Sequence, residues 1–172
     1  MGRAETDGFD AFYRDTSRRL LRYAYGLAGE AGEAQDLVQE AYARAWQHWR
    51  AVRGYENAEA WLRVVVTRLA TDRWRKLGVR RAAAARARPP AEIPAPSEDT
   101  VVLVAALRTL PAAQRRALTL HYLLDRSLTE IAEETGSTVG TVKSWLHRGR
   151  LALAAALGDD VHDLVTGGSD AR

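Results

Sequence analysis

The stretch SLTEIAEETGSTVGTVKSWLHRGR, residues 127–150, decides the fold that we predict for this chain. Ser127 is followed three residues later by Glu130, which is the pattern of a capping box and predicts the start of a helix. Gly136 predicts where that helix ends, because glycine readily adopts the left-handed backbone of a tight turn. The serine and threonine that follow are both suited to cap a second helix. Two short helices joined in this way are typical of a helix-turn-helix motif.

The apolar residues of this stretch predict which sides of the two helices pack. In the second helix they recur at i, i+3 and i+7, as Val139, Val142 and Leu146. In the first helix Ile131 and Ala132 are expected to face inward, while three glutamates remain in solvent, namely Glu130, Glu133 and Glu134. Ala132 and Gly140 are small enough to let the two helices cross closely.

The outer face of the second helix carries only basic, hydroxyl and imidazole groups, and no acid interrupts residues 138–150. The candidate residues are Thr138, Thr141, Lys143, Ser144, His147, Arg148 and Arg150. In a helix-turn-helix protein the second helix enters the major groove, where such donors meet phosphates and base edges. The pattern therefore favours DNA binding. The alternative is an ordinary helical hairpin whose basic face is only solvated.

Length and composition exclude several classes of site. The chain has 172 residues, 47% of them hydrophobic, and a net charge of +3. It has no cysteine, which excludes disulfides and thiolate zinc sites, and its four histidines lie far apart. We therefore expect no metal, no cofactor and no catalytic residues. No apolar run reaches transmembrane length and no signal-peptide core is present, so we expect a soluble, cytoplasmic protein without membrane insertion.

The first half of the chain predicts helices over residues 9–27 and 34–49, after a polar start, residues 1–8, that we expect to be frayed. In the second helix a helical period predicts a core face made of Ala34, Leu37, Val38, Ala41, Tyr42, Ala45, Trp46 and Trp49. The opposite face includes three polar residues, Asp36, Gln39 and Glu40. From the residues alone this face either is solvated, which is the simpler interpretation, or binds a partner.

Residues 52–59 predict a loop, and residues 58–76 a third helix that Asn57 can cap. Aromatic and basic side chains alternate here, a pattern that suits the unstacked bases and phosphates of single-stranded nucleic acid. The candidate residues are Tyr55, Asn57, Trp61, Arg63, Arg68, Arg73, Arg75 and Lys76. The alternative is that the tryptophans belong to the core and the arginines form a solubility face.

Residues 77–96 predict a linker, because an Ala- and Arg-rich run gives way to four prolines that stop a helix. Further helices follow it, and Pro111 suits the first turn of one of them. The predicted fold is all-α, with two small helical domains, residues 1–76 and 97–158, joined by this Pro/Arg-rich linker. The second domain contains the helix-turn-helix, and residues 159–172 are expected to be a loose tail.

Two separate stretches resemble the same family. DLVQEAYARAW, residues 36–46, together with AWLRVVVTRLATDRWRK, residues 60–76, resembles the second conserved region of bacterial sigma factors. LPAAQRRALTLHYLLDRSLTEIAEETGSTVGTVKSWLHRGR, residues 110–150, resembles the fourth region. The third region is absent between them, which is the layout of the extracytoplasmic-function group.

The resemblance implies a non-enzymatic subunit that directs RNA polymerase to promoters. It implies that Asp36, Gln39 and Glu40 dock on the clamp helices of the largest polymerase subunit. The loop and third helix would then capture the melted minus-ten strand, and the second helix of the helix-turn-helix would bind the minus-thirty-five element. The implied partners are core RNA polymerase, promoter DNA and an anti-sigma protein where one exists.

The chain departs from the family pattern in two places. Thr67 and Arg68 stand where the family commonly has an Arg-Asn pair, which affects the bases read in the melted strand. Trp145 stands where a basic residue is common, and it either faces the groove or packs; we expect it to pack.

Two other functions compete with this interpretation. A stand-alone helix-turn-helix regulator would explain residues 127–150 but would leave residues 36–46 and the basic third helix without a role. A recombinase or nuclease would need clustered carboxylates or a nucleophile. Asp36 and Glu40 share a helix face, but no further acid or histidine stands at a spacing that would complete a metal site.

Overall fold

The structure is a computed structural model that describes residues 3–80 and 98–157, with side chains described for residues 5–73 and 102–157. Within those ranges the secondary structure is helical and contains no strand, which confirms the all-α prediction. The chain divides into two units, Met1–Ile93 and Pro94–Arg172. Most of the predicted linker, residues 81–96, and the predicted tail, residues 159–172, lie outside the described residues.

The N-terminal unit consists of four helices in the described residues. They are α1 (Arg3–Ala28), α2 (Ala31–Gln47), the short α3 (Trp49–Val52) and α4 (Ala58–Arg80). Helices α1, α2 and α4 pack against one another and bury a core that includes Leu20, Tyr23, Leu37, Leu62 and Val66. Helix α4 continues to Arg80, four residues further than predicted.

Helix α1 begins at Arg3, so the prediction that residues 1–8 are frayed is wrong for the part that the structure describes. The carboxylate of Glu5 pairs with Arg50 at 3.0 Å. The ring of Phe9 meets those of Trp46 and Trp49 edge-on, with centroids 4.8 and 5.2 Å apart. These contacts to α2 and α3 hold the start of α1 in helical form.

The predicted core face of α2 is confirmed for Ala34, Leu37, Val38, Ala41, Tyr42 and Ala45. Trp49 is also buried, but it belongs to α3 because the helix is interrupted at His48. Trp46 does not belong to the core, since 37% of it is exposed. It follows Ala45 by one residue, which turns its side chain by about 100° around the helix.

The C-terminal unit is built around its last helix. Its elements are α5 (Glu98–Arg108), α6 (Ala112–Leu118), a π-helical turn (Thr119–Leu123), α7 (Leu128–Thr135) and α8 (Val139–Leu157). Helices α5, α6 and α7 all pack against α8. The buried residues include Leu107, Leu118, Leu120, Ile131, Val142, Leu146 and Leu153.

A buried arginine closes the end of α5. Arg115, in α6, donates hydrogen bonds to the carbonyl oxygens of Leu110 at 3.0 Å and Arg108 at 3.3 Å. Carbonyl groups at the end of a helix lack partners within that helix, so a cation there is favourable. Burial, and secondarily the charge of Arg108, lowers the pKa of Arg115 to about 10.

The close helix crossing involves Gly149, not Gly140 as predicted. A Cβ atom built on Gly149 would lie 2.7 Å from Cδ1 of Leu118 in α6. A Cβ atom built on Gly140 would lie 3.8 Å from Oγ1 of Thr138, which is an ordinary van der Waals contact. The tight helix contact at a glycine of α8 is therefore made with α6, near the end of the helix-turn-helix stretch, and not with α7.

Two further predictions for this region are wrong. Val139 is 37% exposed because it is the first residue of α8, where the facing elements have not yet covered the helix. Glu134 is turned inward, with a side chain that is only 8% exposed and an oxygen 3.7 Å from Nη2 of Arg116. Ile131 and Ala132 are buried as predicted.

Candidate nucleic-acid and partner interfaces

The first helix of the helix-turn-helix starts with the predicted capping box. Oγ of Ser127 accepts from the backbone N–H of Glu130 at 3.2 Å, and the Glu130 carboxylate accepts from the backbone N–H of Ser127 at 2.9 Å. The bond from the Ser127 backbone, with further ones from Arg126 and the Ser127 hydroxyl, lowers the pKa of Glu130 to about 2. The helix ends at Gly136, whose φ of 65° is left-handed, as predicted.

Thr138 caps the second helix. Its Oγ1 accepts from the backbone N–H of Thr141 at 3.1 Å and lies 2.9 Å from the Thr141 hydroxyl. Of the two cap candidates that the sequence offered, the structure selects the second. The two threonine hydroxyls at the start of α8 thus hold each other in place on the surface.

The basic face of α8 is exposed over a packed inner face. Val142 and Leu146 are buried, whereas the side chains on the other side reach solvent, namely Lys143, Ser144, His147 and Arg148. Nε of Arg148 donates to the carbonyl oxygen of Ser144 at 3.3 Å, which orients the guanidinium along the helix. Trp145 is half-buried, in keeping with a packing residue at the edge of this face.

Arg150, at the far end of the predicted face, is half-buried and donates to the hydroxyl of Tyr122 at 3.4 Å. Tyr122 is 51% exposed and lies in the π-helical turn. It was not among the predicted residues. No sequence pattern places a residue from that turn beside α8, because the contact depends on how α6 and α8 pack.

In the N-terminal unit the predicted nucleic-acid residues separate into exposed and buried ones. Tyr55 is 46% exposed in the loop before α4, Arg68 is exposed, and Arg73 is half-buried. Trp61 is half-buried, with its ring centroid 6.3 Å from that of Tyr55. The side chains of Arg75 and Lys76 lie outside those that the structure describes.

Arg63 is the clear exception, since it is only 1% exposed. It lies on the side of α4 that packs on α1, and its Nη1 is 3.2 Å from Oε1 of Glu59. A guanidinium enclosed in this way does not reach a nucleic acid, so the prediction that Arg63 contacts the melted strand is wrong.

Asn57 acts as the predicted cap of α4. Its Oδ1 accepts from the backbone N–H of Ala60 at 2.8 Å. Thr67, where the family pattern commonly has an arginine, is turned toward α1, and its hydroxyl lies 2.8 Å from that of Tyr23. The exposed basic position of this pair is therefore Arg68 alone.

The polar face of α2 is exposed at all three predicted residues, Asp36, Gln39 and Glu40. Its two carboxylates are engaged in ion pairs on the surface. Oδ2 of Asp36 is 3.7 Å from Nη1 of Arg73, and Oε1 of Glu40 is 2.9 Å from Nε of Arg44. Surface pairs of this kind contribute about 0–1 kcal/mol, so a partner can displace them at little cost.

Among the described residues there is no group of His, Cys, Asp and Glu that could hold a metal ion. Likewise, none of the helices in the described ranges is both long and apolar enough to cross a membrane.

Two family models match the chain in the order that the sequence predicted. The model of sigma-70 region 2 matches residues 12–80, and that of sigma-70 region 4 matches residues 100–153. The matched ranges correspond to the two helical units.

Curated relatives match over nearly the whole chain. The RNA polymerase sigma-E factor of Streptomyces antibioticus is 31% identical over 160 residues, which are 91% of this chain and 88% of that protein. The ECF RNA polymerase sigma factor SigL of Mycobacterium tuberculosis is 33% identical over 162 residues, 90% of this chain and 91% of that protein. Among solved structures, the sigma factor RpoE of Bartonella quintana, crystallised with the anti-sigma factor NepR, covers 86% of this chain and 96% of its own, with 27% identity and a TM-score of 0.67.

Proposed function

Because the chain belongs to the extracytoplasmic-function group of RNA polymerase sigma factors, we propose that its two helical units divide promoter recognition between them. A sigma factor is a transcription initiation factor and not an enzyme. Its partners are core RNA polymerase and promoter DNA, which it brings together. What remains to be assigned is which residues perform each task.

The C-terminal unit is proposed to bind the upstream promoter element through α8. The observation that carries this assignment is the exposed row of Lys143, Ser144, His147 and Arg148 over the buried Val142 and Leu146. Such a row can enter the major groove while the inner side of the helix stays packed on α6 and α7. Thr138 and Thr141 supply hydroxyl donors at its first turn, and Arg150 lies at its far end.

The N-terminal unit is proposed to capture the melted strand beside the start of α4. Tyr55 offers an exposed ring on which a base can stack, and Arg68 offers an exposed charge for the phosphate chain. Trp61 lies behind Tyr55, and Arg73 further along the helix extends the basic side. Arg63 is left out of this set because it is buried.

The exposed polar face of α2 is proposed to dock on core RNA polymerase through Asp36, Gln39 and Glu40. These side chains project away from the packed side of the helix, so a partner can reach them without unfolding the unit. An anti-sigma protein is a proposed further partner, on the model of the Bartonella complex. The proposed location is the cytoplasm, because that is where the chain would meet core RNA polymerase.

The test is in vitro transcription with core RNA polymerase on a library of randomised promoters, preceded by co-purification of the chain with core enzyme. We expect a stable complex and enrichment of a two-part promoter with upstream and downstream elements. A chain that selects a palindromic duplex without any affinity for core enzyme would instead be a stand-alone regulator.

A further inference from the structure

A carboxylate between two arginines joins α1 to the start of α4. Glu59, in the first turn of α4, accepts from Nε and Nη2 of Arg19 at 3.0 and 2.8 Å. The same carboxylate lies 3.2 Å from Nη1 of Arg63, one turn further along α4. The Arg19 side chain is 46% exposed, Glu59 is 15% exposed and Arg63 is 1% exposed. We call this group the Glu59 triad.

Stability alone does not account for a charged group at the position of Arg63. Removing a guanidinium from water is costly, and the attraction of the Glu59 carboxylate offsets only part of that cost. Apolar residues of similar volume commonly replace buried ion pairs with no loss of stability, or with a gain. What an ion pair provides beyond an apolar contact is direction, because its atoms must meet in one geometry.

The geometry that the Glu59 triad fixes is that of the start of α4. A second polar bridge, from the hydroxyl of Tyr23 to that of Thr67 at 2.8 Å, holds α1 and α4 together two turns further along. Together the two bridges define how far α4 is shifted along α1. An apolar contact between the same helices would tolerate a slide.

The start of α4 carries the loop that is proposed to capture the melted strand. Asn57, two residues before Glu59, caps the helix through the backbone N–H of Ala60 at 2.8 Å. The ring of Trp61 lies 6.3 Å from that of Tyr55. A shift of the first turn of α4 would therefore move Asn57 and Tyr55 with it.

We propose that Arg63 is a positioning residue, which acts with Glu59 and Arg19 to hold the loop of Tyr55 in the arrangement that accepts an unstacked base. This inference rests on the proposed capture of the melted strand by that loop. Arg63 itself does not touch DNA in this mechanism. Its influence passes through the carboxylate of Glu59 to the first turn of α4.

The test uses the full chain with core RNA polymerase and a promoter selected with the wild-type protein. The decisive variant is Glu59→Leu combined with Arg63→Met, which replaces the buried pair by apolar side chains. Its thermal unfolding midpoint is expected to be unchanged or higher. Its holoenzyme is expected to bind a fluorescent single-stranded oligonucleotide of the non-template strand about tenfold more weakly, the order of effect of one lost stacked base.

Three measurements separate this role from a merely structural one. Affinity for core enzyme and for a duplex fragment with the upstream element should remain at the wild-type values. Arg63→Lys, which keeps a cation next to Glu59, should retain part of the strand affinity that the apolar pair loses. Arg19→Met alters the half-exposed arginine of the Glu59 triad and should cause a smaller loss of strand affinity. This single variant provides the test if the double variant does not fold.

Wild-type strand affinity in the apolar double variant would overturn the proposal, as would a loss that merely follows a lower unfolding midpoint. Tyr55→Ala serves as the reference for the loop itself. If Tyr55→Ala binds the oligonucleotide as the wild type does, the loop is not the capture site, and the failure lies in the proposed function. If Tyr55→Ala loses affinity and the apolar pair does not, only the positioning role fails.

Discussion

Arg63 and Arg148 have the same chemistry and opposite surroundings. Arg63 is enclosed between α1 and α4 beside Glu59, whereas Arg148 extends from α8 into solvent beside the carbonyl oxygen of Ser144. The sequence predicted both as nucleic-acid contacts because each stands in a basic, polar stretch. The environment of a single side chain is set by the neighbouring helix, which a one-dimensional pattern does not contain.

The exposed side of α8 makes a prediction for individual side chains. Arg148→Ala and Lys143→Ala should each weaken binding to a duplex with the upstream element, by roughly 1–3 kcal/mol where a base contact is lost. If the lost contact is only to a phosphate, sequence preference stays the same and the salt dependence becomes shallower. Fluorescence anisotropy at several salt concentrations measures both effects. Arg14→Ala, an exposed arginine of α1, is the control for charge alone; equal losses in all three variants would contradict the assignment.

The polar face of α2 is expected to contact core RNA polymerase through its two carboxylates. Asp36→Lys combined with Glu40→Lys should reduce the affinity for core RNA polymerase. Helix content should remain, because both side chains are exposed and their pairs with Arg73 and Arg44 lie on the surface. Circular dichroism and a pull-down with core enzyme check the two parts. Wild-type affinity in this variant would mean that the face is only solvated.

At the scale of helices, the features that follow from local chemistry were predictable. The capping box of Ser127 and Glu130, the left-handed Gly136 and the Asn57 cap each depend on residues within one turn, and all three are confirmed. Features that depend on a second element were not predictable. Gly149 meets Leu118 of α6, a residue 31 positions earlier, so sequence spacing indicated Gly140 instead.

The two glycines of α8 give a matched pair of substitutions. Gly149→Ala should destabilise the C-terminal unit by about 1–3 kcal/mol, since its new methyl group would meet the buried Leu118 at 2.7 Å. Gly140→Ala should stabilise it by up to about 1 kcal/mol, because the site is open and alanine favours a helix. Urea unfolding of the two variants measures the difference. The same sign of change in both would contradict the assigned crossing.

The capping box makes a prediction on pH. The pKa of Glu130 is about 2 in the folded chain, against an ordinary value of 4.5. Its ionised form therefore stabilises the fold above about pH 4.5, and this contribution is lost as the pH falls toward 2. Glu130→Gln can still cap but carries no charge. The thermal unfolding midpoint of Glu130→Gln should lie below that of the wild type at pH 7, and the difference between the two midpoints should be smaller at pH 3. A difference that does not change with pH would mean that the charge of Glu130 does not contribute.

At the scale of the whole molecule, the proposed function requires two small recognition units to act on one promoter. Each offers a limited surface, so each should bind its element weakly by itself. A tether makes the second contact intramolecular, and the combined affinity can exceed either one by about 10²–10⁴ without a new contact. The predicted linker, residues 77–96, is therefore expected to matter for transcription even where it touches nothing.

The length of the predicted linker is expected to limit promoter-specific transcription. The first four residues of the predicted linker already belong to α4, and the sixteen that remain, residues 81–96, can span at most about 53 Å at roughly 3.3 Å per residue. Deleting about half of it should abolish promoter-specific transcription in vitro, while binding to core enzyme through Asp36, Gln39 and Glu40 survives. Full activity of the shortened chain would contradict a bridge between two promoter elements.

Replacing the linker by a Gly/Ser sequence of equal length distinguishes the effect of its span from the effect of its arginines. It keeps the span but removes four arginines, Arg80, Arg81, Arg86 and Arg88. If the segment only spans, activity remains; if these arginines also bind nucleic acid inside the polymerase, initiation falls although the reach is kept. We expect a partial loss, because a plain tether needs no basic residues and a polyanion attracts them. Restoring the arginines within the Gly/Ser sequence should then recover activity, which ties the loss to charge and not to the removed prolines.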